Sequence, residues 1–292
     1  MLCFLALLQQ SMSQDRVYLE SQTQSISSCT FDTLSGTNGG AIYGYSSNIA
    51  VAKSYFVKCS ATIEGGAIFC ENGKLFLSSS CFLECKACTT TNEKGGNAIL
   101  LNMAEGNIDQ IAAYRCWHTT SDTPSDSLII ARKQYFSFKR INSTYNYGIL
   151  GASLCSIWTA NAGSYVEYSY CKDSVDYNSV ETVNGNFIVR YSNFINTTKN
   201  SKSVLFSQSG TLTCNYCYLY NPHTTVFYGT CVVTNCYSDA TRSSCVLISS
   251  SSVNDISVFM NAKNCVAGTP VLTPLMRRRS YTFITYVLYI GQ

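Results

Sequence analysis

The chain contains 292 residues with a formal net charge of +3, and only 13% of them are charged, about half of what soluble domains usually carry. Ser, Thr, Asn and Tyr take the place of the missing charge, and β-branched and aromatic residues prevail over helix formers, which favours strands. Apart from Arg277-Arg278-Arg279 the basic residues are scattered, so the sequence lacks the basic stripe of a nucleic-acid-binding protein and no nucleic-acid partner is expected.

The N-terminus resembles a secretory signal. Leu2 to Leu8 form an apolar run too short to cross a bilayer, and small residues follow at Ser11 and Ser13, although a positive n-region is missing. We expect a signal peptide over residues 1–13; the alternative is an apolar first strand that caps the fold. The 16 cysteines support export, because cytosolic chains rarely carry so many.

Seven-residue windows recur along most of the chain, and all but one end in Cys or Phe. They occupy residues 23–29, 50–56, 76–82, 110–116, 137–143, 165–171, 188–194, 211–217, 230–236 and 259–265. Their ends lie on average about 26 residues apart, a period typical of stacked units that share one continuous core.

Side chains alternate inside each window, which indicates a strand. One column, five places before the window end, contains Val51, Leu77, Ile111, Phe138, Val166, Val189, Leu212, Cys231 and Met260. We expect Val51, Leu77 and Ile111 to share one interior row. Because this column and the window ends cannot both face inward along a straight strand, a bend must lie between them.

Turn formers follow the windows, and glycine pairs then precede an apolar strand. The pairs are Gly39-Gly40, Gly65-Gly66 and a looser Gly95-Gly96, placed where a side chain would clash with the neighbouring coil. The pattern predicts an all-β fold, a right-handed parallel β-helix of about ten coils over residues 14–275. Residues 276–292 are expected to form a last strand or the remnant of an anchor, and how the molecule is held at a membrane stays open.

The sequences GGAIY and GGAIF, together with Phe56-Val-Lys-Cys59 and Phe82-Leu-Glu-Cys85, resemble the GGA-I and F-x-x-N repeats of polymorphic outer-membrane-type surface proteins. Those proteins belong to the wider pectin-lyase-like β-helix group, and similar repeats occur in surface-protein families of parasitic protists. The clear matches cover residues 24–100. The resemblance implies a secreted or surface-displayed, adhesive molecule.

Several cysteines share columns of the repeat. Cys59 and Cys85 occupy one column in consecutive coils, and Cys217, Cys236 and Cys265 occupy another. Strand spacing suits a disulfide, so such residues either bond or stack as small buried thiols; we favour stacking at window ends and disulfides at turns. The two C-x-x-C pairs, at 85–88 and 214–217, lie too far apart for a zinc ribbon, and we expect no metal or cofactor.

The acidic residues show no catalytic pattern. Lyases and hydrolases of this fold need converging carboxylates with a nearby cation, whereas Glu64, Asp109 and Glu181 are scattered, and Asp122/Asp126 and Asp173/Asp176 lie in loops two coils apart. His118 and His223 lie in polar loops without a nucleophile. We therefore expect no enzyme, and a carbohydrate-active enzyme of the pectin-lyase type is the alternative.

Tyrosine is abundant, with 21 copies, and many flank the windows at outward positions. The expected binding face consists of Tyr168, Tyr170, Tyr191, Tyr216, Tyr218 and Tyr220. Tyr stacks on sugars and supplies rigid contact area, although it also simply suits strand surfaces.

Two glycosylation sequons start at Asn142 and Asn196. Together these features predict a non-enzymatic extracellular or cell-surface protein that binds glycans or proteins of a host or neighbouring cell. Purely structural coat material is a third alternative.

Overall fold

The computed structural model describes residues 15–87, 95–116, 127–146, 151–174, 178–197, 203–220, 227–238 and 244–247. Within these ranges all regular structure is β, in 27 short strands. None of the described residues forms a helix with the length and apolarity needed to cross a membrane. The expected signal peptide, the arginine cluster, Cys265 and residues 276–292 lie outside the described residues.

Each coil contributes strands to three rows, and every pairing between coils is parallel. The first row contains Val17–Glu20, Ile42–Tyr45, Ile68–Glu71, Gly96–Asn102, Ser127–Arg132, Ala152–Trp158, Asn178–Val183, Leu205–Gln208, the start of Phe227–Thr234, and Ser244–Leu247. The second row contains Thr23–Ser27, Asn48–Ala52, the first parts of Lys74–Leu83, Glu105–Tyr114 and Phe136–Thr144, then Tyr165–Glu167, Asn186–Arg190, Thr211–Asn215 and the end of Phe227–Thr234.

The third row contains Thr30–Asp32, Tyr55–Val57, the second parts of the three long strands, Tyr170–Lys172, Asn193–Ile195, Tyr218–Tyr220 and Tyr237–Ser238. A separate side sheet consists of Ser35–Asn38, Ser60–Glu64 and Lys86–Ala87. Strands that pair at equal steps of one coil are what a β-solenoid requires.

The molecule is thus an all-β parallel β-solenoid, as the repeat predicts. In about seven turns the strands of all three rows pair with a coil on both sides, from the coil that starts at Ile42 to the coil that starts at Leu205. The expected number of about ten coils is too high, because the windows at the two ends contribute only partial turns and residues 259–265 lie outside the described residues.

The coils turn at corners whose backbone is left-handed. Between the second and third rows, at what we call the second corner, one residue of each coil has a φ between 47° and 56°. These corner residues are Ser28, Lys53, Ser79, Gln110, Arg140, Tyr168, Tyr191, Tyr216 and Asn235. This conformation costs L-residues about 1–2 kcal/mol. It is held in place by the next coil, since for example Lys53 N–H donates to the Ser78 carbonyl at 3.1 Å. The bend predicted within each window is this corner.

A ladder of small polar side chains follows the second corner inside the solenoid. The Ser54 hydroxyl donates to the Ala52 carbonyl at 2.9 Å and accepts the Cys29 N–H at 3.3 Å. Ser80 repeats the arrangement one coil later, where it accepts the Ser54 N–H at 3.2 Å. Where the ladder residue is Ser or Cys, it gives the buried backbone at the corner a partner, which explains the Ser and Cys residues at this position. In two central coils the same position holds Ile111 and Ile141.

The interior register differs from the sequence alignment at three windows. Val51 pairs with Leu77 as expected, but Leu77 pairs with Ile108 and not with Ile111. Ile111 lies beyond the corner residue Gln110, in the third row, where it pairs with Ser80. It remains buried in the same core. The expected single row of Val51, Leu77 and Ile111 is therefore wrong in its third member.

The other two windows are 211–217 and 230–236. Val189 pairs with Cys214 and not with Leu212. Leu212 pairs with Cys231, so both windows are two residues out of register with the earlier ones.

The glycine motifs are explained by close contact between coils. A Cβ on Gly40 would overlap the Gly66 carbonyl oxygen, and a Cβ on Gly66 would overlap the Asn97 carbonyl oxygen. Asn97 thus occupies in the next coil the place of the second glycine, so the third motif is shifted by one residue relative to the looser pair expected from the sequence.

Candidate binding surface at the second corner

Three tyrosines in consecutive coils form a stack at the second corner, which we call the tyrosine column. Tyr168 and Tyr191 stack with ring centroids 5.2 Å apart and 10° between the ring planes, and Tyr191 and Tyr216 do so at 5.2 Å and 11°. Each is a left-handed corner residue. Their N–H groups donate to carbonyls of the following coil at 3.0 to 3.2 Å, so the backbone fixes the ring spacing at one coil.

The tyrosine column is accessible to solvent in all three coils. The side chains of Tyr168, Tyr191 and Tyr216 are 37%, 37% and 40% exposed. Because neighbouring rings cover one another's faces, a ligand would meet a row of phenol edges repeated once per coil. This geometry differs from the expectation that sugars would stack on the ring faces.

The third row adds further tyrosines beside the column. Tyr170 and Tyr218 both pair with Asn193, from the coils on either side of it. Tyr218 also stacks on the exposed Tyr220 with a centroid distance of 6.3 Å. Burial raises the pKa of Tyr170 to about 12, so its hydroxyl stays protonated. The six tyrosines expected at the binding face therefore lie on one corner and the adjoining row.

A charged group flanks the tyrosine column on the second row. Glu167 is only 5% exposed and pairs with Lys139 at 3.1 Å and with Arg190 at 2.7 Å. Both cations also lie over the ring of Tyr165, at 5.3 and 5.0 Å from its centroid. With two cations and one carboxylate, this group leaves an excess of positive charge next to Tyr168 and Tyr191.

Sequence reasoning missed Lys139, Glu167 and Arg190. The signal that identifies them is positional: in three successive coils they precede the corner residues Arg140, Tyr168 and Tyr191. Their proximity can be recognised only once the corner position of each coil is known.

Stacking alone does not distinguish a binding surface. Tyr18, Tyr43 and Phe69 also stack, with centroid distances of 4.8 and 5.4 Å, but Tyr43 and Phe69 belong to a second apolar cluster with Leu100 and Ile130 that is largely covered. Stacked aromatics are therefore a general consequence of aligned coils. The tyrosine column differs in that solvent reaches all three of its members.

The cysteines singled out in the sequence are placed as follows. Cys59 and Cys85 are free and buried, in consecutive coils, each directly after a left-handed residue (Lys58 or Glu84) that ends the third row. Their thiols donate to the carbonyls of Phe31 at 3.5 Å and Phe56 at 3.4 Å. Cys217 and Cys236 are also free and buried and occupy the ladder after the second corner. Asn146 takes the corresponding place to Cys85 further along, where its side chain accepts the Cys116 N–H at 2.8 Å.

One group of polar side chains contains two of the acids considered in the sequence. Arg132 pairs with Glu64 at 3.0 Å and lies over the Trp158 ring, 5.8 Å from its centroid. The Trp158 indole N–H donates to Ser156, whose hydroxyl donates to Glu181 at 2.8 Å. Asp122, Asp126, Asp176 and both histidines lie outside the described residues.

The two sequon asparagines differ in exposure. Asn196 is an exposed corner residue whose amide donates to Asp173 at 3.3 Å, whereas Asn142 is half-buried and accepts from Thr144 at 3.3 Å. A glycan on Asn196 would project into solvent without displacing the core.

No protein-family model, curated protein or solved structure matches this chain. Function is therefore inferred from the geometry of the chain itself.

Proposed function

We propose that the protein is a non-enzymatic, secreted or cell-surface β-solenoid that binds extended glycans along its second corner. The observation that carries this proposal is the exposed, evenly spaced tyrosine column of Tyr168, Tyr191 and Tyr216.

The chemistry of the column suits a linear polymer of sugars. A glycan chain presents hydroxyls at a regular repeat, and the column presents one phenol hydroxyl per coil, able to donate and to accept. Because the coils fix the rings, little side-chain entropy is lost on binding. The polymer would lie parallel to the solenoid axis.

The charge beside the column favours acidic sugars. Arg190 and Lys139 share a single carboxylate, Glu167. Glu167 therefore neutralises the two cations only in part, and a carboxylate on the glycan could pair with them. Arg in particular can bind a carboxylate with two hydrogen bonds. Uronate-containing chains are the first class to examine.

The surface location is supported by the sequence. The GGAI and F-x-x-C motifs resemble those of polymorphic outer-membrane-type surface proteins, within the pectin-lyase-like group, and the N-terminal apolar run resembles a secretory signal. Glycans of a host or neighbouring cell are the partners that such a location offers. Protein partners would instead use the tyrosines as rigid contact area.

The test is retention of the full chain on a glycan array and on immobilised polysaccharides. We expect the wild type to be retained and the triple variant Tyr168→Ala, Tyr191→Ala, Tyr216→Ala not to be retained. The control is Tyr18→Ala, which removes an exposed tyrosine elsewhere on the solenoid. Circular dichroism establishes that each variant is folded. Equal retention of wild type and a folded triple variant would refute the proposal.

A second candidate, a carbohydrate-active enzyme, is favoured by the group around Arg132. Two carboxylates, Glu64 and Glu181, are connected to it through an ion pair, a ring contact and hydrogen bonds, and such enzymes use acids with a nearby cation. Incubation with polyuronides distinguishes the two candidates. If the wild type produces new reducing ends or unsaturated products and Glu181→Gln does not, the protein is an enzyme and the binding-only proposal is refuted.

A further inference from the structure

Three buried thiols converge inside the solenoid beneath the tyrosine column. The Sγ atoms of Cys214, Cys217 and Cys236 all lie within 4.8 Å of one another. The Sγ atoms of Cys214 and Cys236 are 3.5 Å apart. All three residues are free and buried. No other group of three or more ligand-bearing residues with this proximity occurs in the described part of the chain.

The corner explains why these thiols meet. Cys214 is the last inward residue before the corner residue Tyr216, and Cys217 is the first inward residue after it. Because the corner reverses the alternation of the strand, residues three apart both face the interior. The pairing of Tyr218 with Tyr237 places Cys236 next to Cys217 in the following coil. A C-x-x-C pair and one thiol from the next coil thus form a triangle.

The size of this triangle suits a single metal ion. A metal–thiolate bond is about 2.3 Å long, so three sulfurs around one ion lie about 4 Å apart. The Sγ separations of the cluster, from 3.5 Å to at most 4.8 Å, bracket that value. Small rotations of the side chains would bring all three sulfurs to bonding distance.

The number and kind of ligands indicate which metal. Zinc in structural sites takes four ligands, whereas the described residues supply three here. Thiolate donors select soft cations, among them Cu(I). The site also lies in the apolar interior: Val189 pairs with Cys214 from the preceding coil, and Val189 and the strand neighbours Leu212 and Leu219 are fully buried. Water is therefore a poor candidate for a fourth ligand.

We infer that Cys214, Cys217 and Cys236 form a three-coordinate site for a soft monovalent cation, Cu(I). Each thiol that binds the ion releases its proton to solvent. The site is independent of the proposed glycan binding, because its thiols face the interior and the tyrosine column faces solvent. It lies in the same coils and would hold the backbone on both sides of Tyr216.

The test is anaerobic titration of the reduced full chain with Cu(I), in competition with a chromogenic Cu(I) chelator. The chain has other cysteines, so the informative quantity is a difference between variants. We expect Cys236→Ser to bind one Cu(I) fewer per chain than the wild type. Cys70→Ser, which removes a buried free thiol elsewhere, should bind the wild-type number. Equal stoichiometry in all three proteins would overturn the inference.

A second measurement does not depend on whether the variants fold. X-ray absorption of the wild type loaded with one equivalent of Cu(I) should show three sulfur neighbours at about 2.3 Å. Two sulfurs, or nitrogen and oxygen neighbours, would overturn the inference. So would mass spectrometry that finds Cys236 in a disulfide with Cys214 or Cys217 in the protein as it is isolated from its source, since one pair would consume the site.

Discussion

The thiol of Cys236 accepts the backbone N–H of Cys217 at 3.4 Å. The same contact occurs two coils earlier, where the hydroxyl of Ser192 accepts the N–H of Ser169 at 3.1 Å. Hydroxyl and thiol are therefore interchangeable partners in the ladder after the second corner. In the coils where the ladder is polar, the position requires a small side chain that can bond to buried backbone without filling the corner.

Substitutions of Ser80 test this requirement. Ser80→Ala removes the acceptor of the buried Ser54 N–H, and a buried unsatisfied donor costs about 1–3 kcal/mol. Ser80→Cys keeps an acceptor in place and should cost less. Urea unfolding measures the free energy of unfolding of the two variants. If Ser80→Cys is as unstable as Ser80→Ala, thiol and hydroxyl are not interchangeable at this position.

Close contact between coils predicts the effect of alanine at Gly66. The new Cβ would overlap backbone of Lys86 and Asn97, which cannot move without parting two coils. We expect Gly66→Ala to lower the free energy of unfolding by about 2–3 kcal/mol. Gly36→Ala is the control, because the nearest atoms to its Cβ would belong to the flexible end of the Arg16 side chain. A similar loss in both variants would show that contact between coils is not the cause.

The left-handed corner predicts opposite responses to two substitutions of the exposed Lys53, whose φ is 50°. Asn tolerates this conformation and should leave stability unchanged or slightly raised, whereas the β-branched Val should cost about 1–2 kcal/mol. Lys74→Val, on a strand, is the matched control and should be nearly neutral. Thermal unfolding measures these changes in stability. A Lys53→Val variant as stable as the wild type would mean that the corner backbone is not left-handed.

Burial predicts that the thiols of Cys70 and Cys81 do not react with alkylating reagents in the folded chain. It raises the pKa of Cys70 and of Cys81 to about 12, from the usual 9.0. Below pH 9 both thiols stay protonated, so iodoacetamide at pH 8 should leave them unmodified until the chain is unfolded. Because the folded pKa is the higher one, the stability that protonated thiols contribute declines as the pH rises from 9 towards 12. Peptide mass spectrometry after alkylation measures this; rapid labelling of either residue in the folded chain contradicts it.

The repeat was visible in the sequence because solenoid coils reuse the same positions. The pairing of Val51 with Leu77 and the need for glycine at Gly40 and Gly66 follow from that periodicity. The place of Ile111 did not follow, because left-handed corners accept Ser, Lys, Gln, Arg, Tyr or Asn and so leave no fixed residue to align. A window anchored on its final Cys at 116 was therefore three residues out of register.

The candidate site was predictable in position and not in geometry. Outward tyrosines could be identified from alternation, and all six lie at or next to one corner. That Tyr168, Tyr191 and Tyr216 stack on one another, and so expose edges in place of faces, depends on their occupying the same corner position in consecutive coils. The thiol triangle likewise depends on the reversal of alternation at Tyr216, which brings Cys214 and Cys217 to the same side.

The central claim, that phenol edges of the tyrosine column bind a sugar chain, is tested most directly by calorimetric titration of Tyr191→Phe with uronate and neutral oligosaccharides of increasing length. This variant keeps the stacked ring and loses only the hydroxyl. We expect wild-type affinity to rise with oligosaccharide length, and Tyr191→Phe to bind the longest uronate chain about 3- to 10-fold more weakly, as the loss of one hydrogen bond predicts. Tyr18→Phe should bind like the wild type. Affinity that is independent of length, or a Tyr191→Phe variant that binds like the wild type, would contradict the claim.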